Sequence, residues 1–189
     1  MKSSFIAASA LLIGLVVPAL ADQNQSTIDQ VGSNSSVTVG QTGDTTTNTS
    51  AVKQAGGHNN TVNVEQKGTN NTNESTVDQF ETGHTATITQ DGDSNTNTSL
   101  LVQSGFGESA EIHQGGTGNT SDSIVHLEAG NNNQLSVDQF GDSNNNSSFI
   151  SSLSTNSTID VQQHGSSNFN VSSVTTGAPG GNTVSVNQH

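Results

Sequence analysis

The sequence contains no cysteine, tryptophan, tyrosine or arginine, and only two prolines and six phenylalanines in 189 residues. Without cysteine there is no disulfide framework and no thiolate for redox or metal chemistry. Three lysines stand against sixteen Asp and Glu, a formal net charge of −13. That balance excludes the basic patch a nucleic-acid binder uses to displace counterions. Apolar residues are also scarce: from Asp22 onward, Val, Ile, Leu and Phe together number 31 of 168. So little apolar surface cannot offset the entropy of ordering a globule, and by itself the composition predicts disorder.

What hydrophobicity there is begins at the N-terminus. Lys2 supplies a positive start, Phe5–Val17 is apolar apart from Ser9 and Gly14, and Pro18-Ala19-Leu20-Ala21 ends in a small-x-small site. Residues 1–21 therefore read as a secretory signal peptide cleaved after Ala21. The apolar stretch is shorter than the roughly 20 residues a membrane-spanning helix needs. The expectation is an exported chain of residues 22–189 that is not an integral membrane protein.

That remainder is periodic. The pattern S-x-φ-x-Q, with φ aliphatic, starts at Ser26, Ser50, Ser75, Ser99, Ser123, Ser148 and Ser172, at spacings of 24 or 25. A second pattern, φ-x-φ-x-Q, starts at Val37, Val62, Ala86, Ala110, Leu135, Ile159 and Val184. It ends in Gln every time: Gln41, Gln66, Gln90, Gln114, Gln139, Gln163 and Gln188. The first pattern keeps Gln30, Gln54, Gln79 and Gln103, then gives Leu127, Ser152 and Thr176. Alternation with period two marks short strands with one buried face, and the Val/Ile/Thr content agrees. All six linkers from second to first strand have eight residues with Gly in second place; the connection inside a repeat takes six or seven. Strand, turn, strand, turn at a fixed period predicts an all-β fold: a β-solenoid of seven repeats, two strands per rung, stacked in parallel. A meander of hairpins is the alternative, and strict repetition argues against it.

Stacking gives each position its own copy above and below. The core spine is then Val37, Val39, Val62, Val64, Ile88, Ile112, Leu135, Val137, Ile159, Val161, Val184 and Val186. The glutamines named above, together with Asn71, Asn95, Asn119, Asn144 and Asn168 in the long turns, form the expected stacking ladders, because identical amides at strand spacing hydrogen-bond along the stack. A solvated polar linker does not explain why 11 of 15 Gln share one register. Only four residues precede Ser26 after the expected cleavage, and one follows Gln188. Uncapped end rungs expose unpaired strand edges, and one copy stacked on the next makes a head-to-tail contact that does not close and grows a filament.

The residues resemble the curlin repeat of bacterial curli, S-x5-Q-x-G-x-x-N-x-A-x3-Q. Gln66-Lys67-Gly68-Thr69-Asn70-Asn71 carries its first part, as do Gln90–Asn95, Gln114–Asn119, Gln139–Asn144 and Gln163–Asn168; Asn48–Gln54, Asn73–Gln79 and Asn97–Gln103 carry the second, with Ser for Ala. The longer turn has two extra residues, and the family's Gly-rich leader has no counterpart before Ser26. The resemblance implies a functional, cross-β amyloid: a fibre subunit secreted unfolded and assembled on the cell surface for biofilm and adhesion. It implies self-association, with a curlin nucleator and an outer-membrane secretion channel as partners. The chain ends at Val184–His189 without a positive side chain, which resembles the major subunit more than a nucleator or minor subunit.

Other readings find less support. Asp91-Gly92-Asp93-Ser94-Asn95-Thr96-Asn97 has the early spacing of a calcium loop but not its Gly at position six or its distal Glu. The six His show no zinc spacing, and nothing calls for a cofactor. No cluster of residues breaks the repeat as catalysis would require, so an enzyme such as a polysaccharide-processing β-helix is not expected. A soluble ice- or ligand-binding solenoid would need a flat Thr face, which only Thr85-Ala86-Thr87 and Thr89 approach. Outward Leu100, Val102, Ile124 and Phe149 suit either a lateral contact or local packing. Asp29, Lys53, Glu65, Asp78, Glu111, Asp138 and Asp160 fall outward, where they solubilise the strands and slow premature pairing. Mutual repulsion among sixteen carboxylates should weaken as they protonate, so fibre growth is expected to quicken as pH falls toward the sequence pI of about 4.3. Growth curves that do not change with pH would contradict this.

Overall fold

A computed structural model of the chain describes residues 13–16, 23–177 and 180–189. The cleavage position expected after Ala21 lies outside the described residues. Among these, fifteen strands are numbered along the chain and fall into two sheets. One sheet holds β1 (Ile13–Val16), β3 (Ser36–Asp44), β5 (Thr61–Thr69), β7 (Thr85–Gln90), β9 (Ser109–Thr117), β11 (Gln134–Asp142), β13 (Thr158–Gln163) and β15 (Thr183–Gln188). The other holds β2 (Gln23–Ser33), β4 (Thr47–His58), β6 (Thr72–Phe80), β8 (Thr96–Phe106), β10 (Thr120–Asn131), β12 (Asn145–Ser152) and β14 (Phe169–Thr176). Every pairing is parallel, and each strand pairs with the equivalent strand one repeat away. The fold is a β-solenoid of seven turns, each turn one even and one odd strand.

Because the side-chain period is two, one face of each strand points between the sheets. Val37, Val62, Ala86, Ala110, Leu135, Ile159 and Val184 pair in register as one file of that interior. Val52, Val77, Leu101, Val125 and Ile150 answer from the opposite sheet. The expected spine residues from Val37 to Val161 are all buried, and Val184 and Val186 in the last turn are partly so. Each buried Val or Ile contributes about 1.5–3 kcal/mol, but the spine is narrow, and much of the interior is amide and hydroxyl.

The strands run longer than the five-residue patterns, reaching 12 residues in β4 and β10. They continue through the corners because turn residues also pair rung to rung. Nearly every turn places a left-handed residue immediately before its corner residue. Asn70 (φ 54°), Ser94 (φ 57°) and Gly118 (φ 63°) do so in successive long turns, which is why Asn, Ser and Gly recur there. A seven-residue inner connection spends its extra residue as a bulge, seen as register shifts between Val31 and Ser33 and between Leu127 and Gly130. The corner residue thereby returns to register.

With residues 13–16 present, the first rung is not bare on both sheets: Ile13–Val16 pairs with Val37–Gly40 of β3. Ile13 and Leu15 sit 24 residues before Val37 and Val39, one repeat earlier. Part of the presumed signal segment thus follows the repeat's own spacing and adds a strand to the head of that sheet.

The second-place glycines of the long turns stack directly on one another. At Gly92 the backbone φ is 108°, and a Cβ would lie 2.0 Å from the Gly116 carbonyl oxygen. Gly92→Ala combines a left-handed strain with a backbone clash and should cost about 2 kcal/mol or more. A lower denaturant midpoint checks it; an unchanged midpoint would contradict the turn stacking described.

Candidate functional site

The chemistry of this chain resides in columns of polar side chains that run the length of the rod. In the largest, Gln41, Gln66, Gln90, Gln114, Gln139, Gln163 and Gln188 each pass one N–H to the Oε1 of the next, over six steps of 2.7–3.0 Å. The second N–H of each amide crosses to a main-chain carbonyl of the other sheet, as from Gln66 to Thr49 at 3.0 Å and from Gln114 to Thr98 at 3.0 Å. One amide therefore does two jobs: it links rungs along the axis and ties the two sheets together. These glutamines are buried from Gln41 to Gln163, where an unpaired amide would cost the full desolvation penalty.

Gln54, Gln79 and Gln103 form a shorter column of the same kind on the opposite corner, with steps of 2.9 and 2.8 Å. Gln30 belongs to its register, but the Gln54 Oε1 and Gln30 Oε1 have no partner. Past Gln103 the column passes to Leu127, then to a hydroxyl cluster in which Thr176 donates to Ser152 at 2.8 Å and Ser154 lies 2.6 Å from Ser157.

The long-turn asparagines are wired differently. Asn95 Nδ2 donates to the Asp91 carbonyl within its own turn (2.8 Å) and to the Gly116 carbonyl of the next (2.9 Å), while its Oδ1 accepts the Asn119 N–H (2.8 Å). Asn71, Asn119 and Asn144 repeat this arrangement, and Asn168 closes the series by donating its backbone N–H to Asn144 Oδ1 at 3.0 Å. Because Asn95 and Asn97 are both buried in columns, the side chains of the calcium-like loop are not free to converge on a cation. Asp91 instead lies 3.7 Å from His113, whose other nitrogen is 3.5 Å from Asp138. The His113 imidazole beside it holds the Asp91 carboxyl below its usual range against the opposing effect of burial. Among the described residues no group of three or more His, Asp and Glu is placed to hold a metal ion.

Two further columns run through the interior. At the start of the even strands, Asn48 donates to Asn24 (3.0 Å), Asn73 to Asn48 (2.9 Å), Asn97 to Asn73 (3.0 Å) and Asn170 to Asn146 (3.0 Å). Ser121 interrupts this run. Its short side chain leaves Asn97 Oδ1, Ser121 Oγ and Asn146 Nδ2 buried without partners. The second is the corner of the inner turn, where Ser35, Asn60, His84, Glu108, Asn133, Ser157 and Asn182 succeed one another. Asn60 accepts the His84 N–H at 3.0 Å, and Asn133 accepts the Ser157 N–H at 3.0 Å. His84 and Glu108 are buried. Four residue types share that column, so no pattern built on one recurring residue finds it.

The outer faces are less regular. Leu100, Ile124 and Phe149 share one outward file on β8, β10 and β12, with Phe149 partly covered by His126 at a ring distance of 6.3 Å. Thr47, Thr72, Thr96 and Thr120 form another exposed file, a longer Thr run than the sequence suggested. Its neighbouring file is mixed (Thr49, Glu74, Thr98, Asp122), so the flat double row of an ice-binding face does not form. None of the seven outward charged residues named from sequence is buried.

Among known proteins, residues 57–98 match the family model described as the curlin associated repeat. Those residues span the second to fourth turns, and the same registers continue through the rest of the solenoid. No curated protein matches the chain. This match and the two-strand solenoid together make the chain curlin-like, similar to a family of structural proteins.

The interrupted asparagine column yields a direct test. Ser121→Asn would restore the amide that its neighbours are shaped for and should raise stability by about 1 kcal/mol or more. The readout is a higher denaturant midpoint; a lower one would show that the gap cannot hold an amide and that the column's regularity is not structural.

Proposed function

We propose that this curlin-like chain is the repeating unit of an extracellular amyloid fibre, exported unfolded and added head to tail, rung upon rung. The observation that carries the reading is the polarity of the glutamine column. Every donor points the same way, so Gln188 ends it with an N–H to give, and Gln41 begins it with an Oε1 that accepts no hydrogen bond from a described residue. The strand-start asparagines run the opposite way, from Asn48 into Asn24 and from Asn170 into Asn146. A second copy stacked in the same direction completes both columns at once, while one stacked in reverse opposes donor to donor. Gln30, Gln188, Val184 and Val186 are half-exposed although their equivalents inside the rod are buried, so apolar and amide surface both favour the contact.

Such a contact is heterologous and does not close, so it propagates as a filament, with the backbone of β14 and β15 templating β2 and β3 of the next copy. Strand β1 occupies the free edge of β3 in the full-length chain, and removal of residues 1–21 opens that edge. The fibre would serve as biofilm matrix and as an adhesive surface. Its partners would be further copies of itself, a nucleating curlin and an outer-membrane channel. The absence of Lys and Arg from Val184–His189 favours the major subunit over the nucleator. No helix among the described residues is long and apolar enough to cross a membrane.

The test is incubation of purified residues 22–189, with the full-length chain beside it. The expected result is seeded, thioflavin-positive fibres giving cross-β diffraction, with slower elongation when residues 1–21 are retained. A persistently monomeric, folded product from residues 22–189 would overturn the reading.

A further inference from the structure

Two adjacent members of the inner-turn column, His84 and Glu108, are titratable, and both are buried in the middle of the stack. The column's asparagines succeed because an amide presents one donor atom and one acceptor atom. Asn60 shows the requirement: its Nδ2 donates to the Glu81 carbonyl at 2.9 Å, and its Oδ1 accepts the His84 N–H at 3.0 Å. A histidine matches that pattern only when neutral, with one nitrogen carrying a proton and the other accepting. A glutamic acid matches it only when protonated.

The surroundings agree with two neutral groups. His84 Nε2 bonds the Phe80 carbonyl, which takes up its donor, and Nδ1 is buried without a partner. Glu108 Oε1 accepts from Asn133 Nδ2 at 3.1 Å, and Oε2 is buried without a partner. No lysine lies on these turns. The other titratable groups on the stacked inner turns around them are His58, Glu81 and Glu128, all exposed, so nothing there neutralises a buried charge.

We propose that His84 and Glu108 form a proton-dependent latch, such that the third and fourth rungs close only with the histidine neutral and the carboxyl protonated. The latch sets two limits of opposite sign. Burial pushes the Glu108 carboxyl from 4.5 up to about 7. Its contribution to folding is complete below 4.5 and is lost as pH rises through about 7. Burial lowers His84 from 6.5, outweighing the carbonyl of Phe80, the charge of Glu81 and the carbonyl of Gly105, all of which favour the charged imidazole. Its contribution is complete above 6.5 and is lost as pH falls through the lowered value. Closing of the middle rungs is therefore favoured in a mildly acidic band. The consequence for folding stands by itself, whereas the consequence for elongation rests on the fibre reading above.

The experiment compares residues 22–189 with Glu108→Gln, His84→Asn and, as a control that removes an equal but outward charge, Glu111→Gln. β-Structure is followed by circular dichroism and fibre by sedimentation from pH 4 to 8. The advantage of Glu108→Gln over the natural chain should grow about tenfold per pH unit between pH 5 and 7 and then level off, and that of His84→Asn should grow as pH falls below 6.5. In assembled, carboxyl-labelled material Glu108 should titrate near neutrality. Equal effects of Glu108→Gln and Glu111→Gln would overturn the latch in favour of general charge repulsion, as would a Glu108 carboxyl that titrates in the ordinary range. If no variant sediments, the fibre reading fails while the dichroism still reports the latch.

Discussion

Everything in this rod depends on one arrangement: a buried glutamine amide whose two N–H groups point in different directions. One bond runs along the axis to the same amide of the next turn, and the other crosses to the opposite sheet. Two sheets held apart by a spine of Val, Ile and Leu would slide or splay, since dispersion contacts have no direction. Amides fix both the spacing of the turns and the distance between the sheets. The requirement is unforgiving, because an unpaired amide in that interior costs about 1–3 kcal/mol. Periods of 24 and 25 residues coexist because the extra residue is confined to a bulge in the inner turn, so the column from Gln41 to Gln188 stays unbroken.

The same arrangement explains a composition that argues against folding. A globule needs a thick apolar centre, and 31 Val, Ile, Leu and Phe after Asp22 cannot build one. A stack needs only a narrow one, because each turn is covered above and below by its own likeness and the backbone is satisfied between turns. The cost falls on the end turns, where Ile28 and Gln30 at one end and Val184, Val186 and Gln188 at the other remain half-exposed. A short rod has a large share of its turns at the ends; a long one has almost none. Growth of the stack is thus the natural route to stability for this sequence, and the acidic outer face keeps rods apart from one another.

Some of this was legible in the sequence and some was not, for physical reasons. Gln41 to Gln188 and Val37 to Val184 could be read because one residue type recurs at one spacing, and stacking demands like upon like. The inner-turn column could not, since Ser35, Asn60, His84, Glu108, Asn133, Ser157 and Asn182 share a hydrogen-bonding pattern rather than a residue type. Their offset from the strand also shifts by one wherever a bulge intervenes. Ser121 fits the sequence pattern of a polar position and reveals its gap only through the three partnerless atoms around it. Ile13–Val16 was hidden by a stronger signal: an apolar run after Lys2 reads as an export segment, and the repeat spacing within it is noticed only when β1 is seen beside β3.

The central claim is that copies stack end on end as successive turns of one solenoid, not as identical segments laid one upon another. A single nitroxide label on an exposed residue such as Thr72 separates the two in assembled fibres. Stacked solenoids place equivalent labels seven turns apart, about 34 Å, so the spectrum should show a dipolar distance near that value and no exchange narrowing. In-register stacking of identical strands brings the labels to about 4.8 Å, and a single exchange-narrowed line from such fibres would contradict the account.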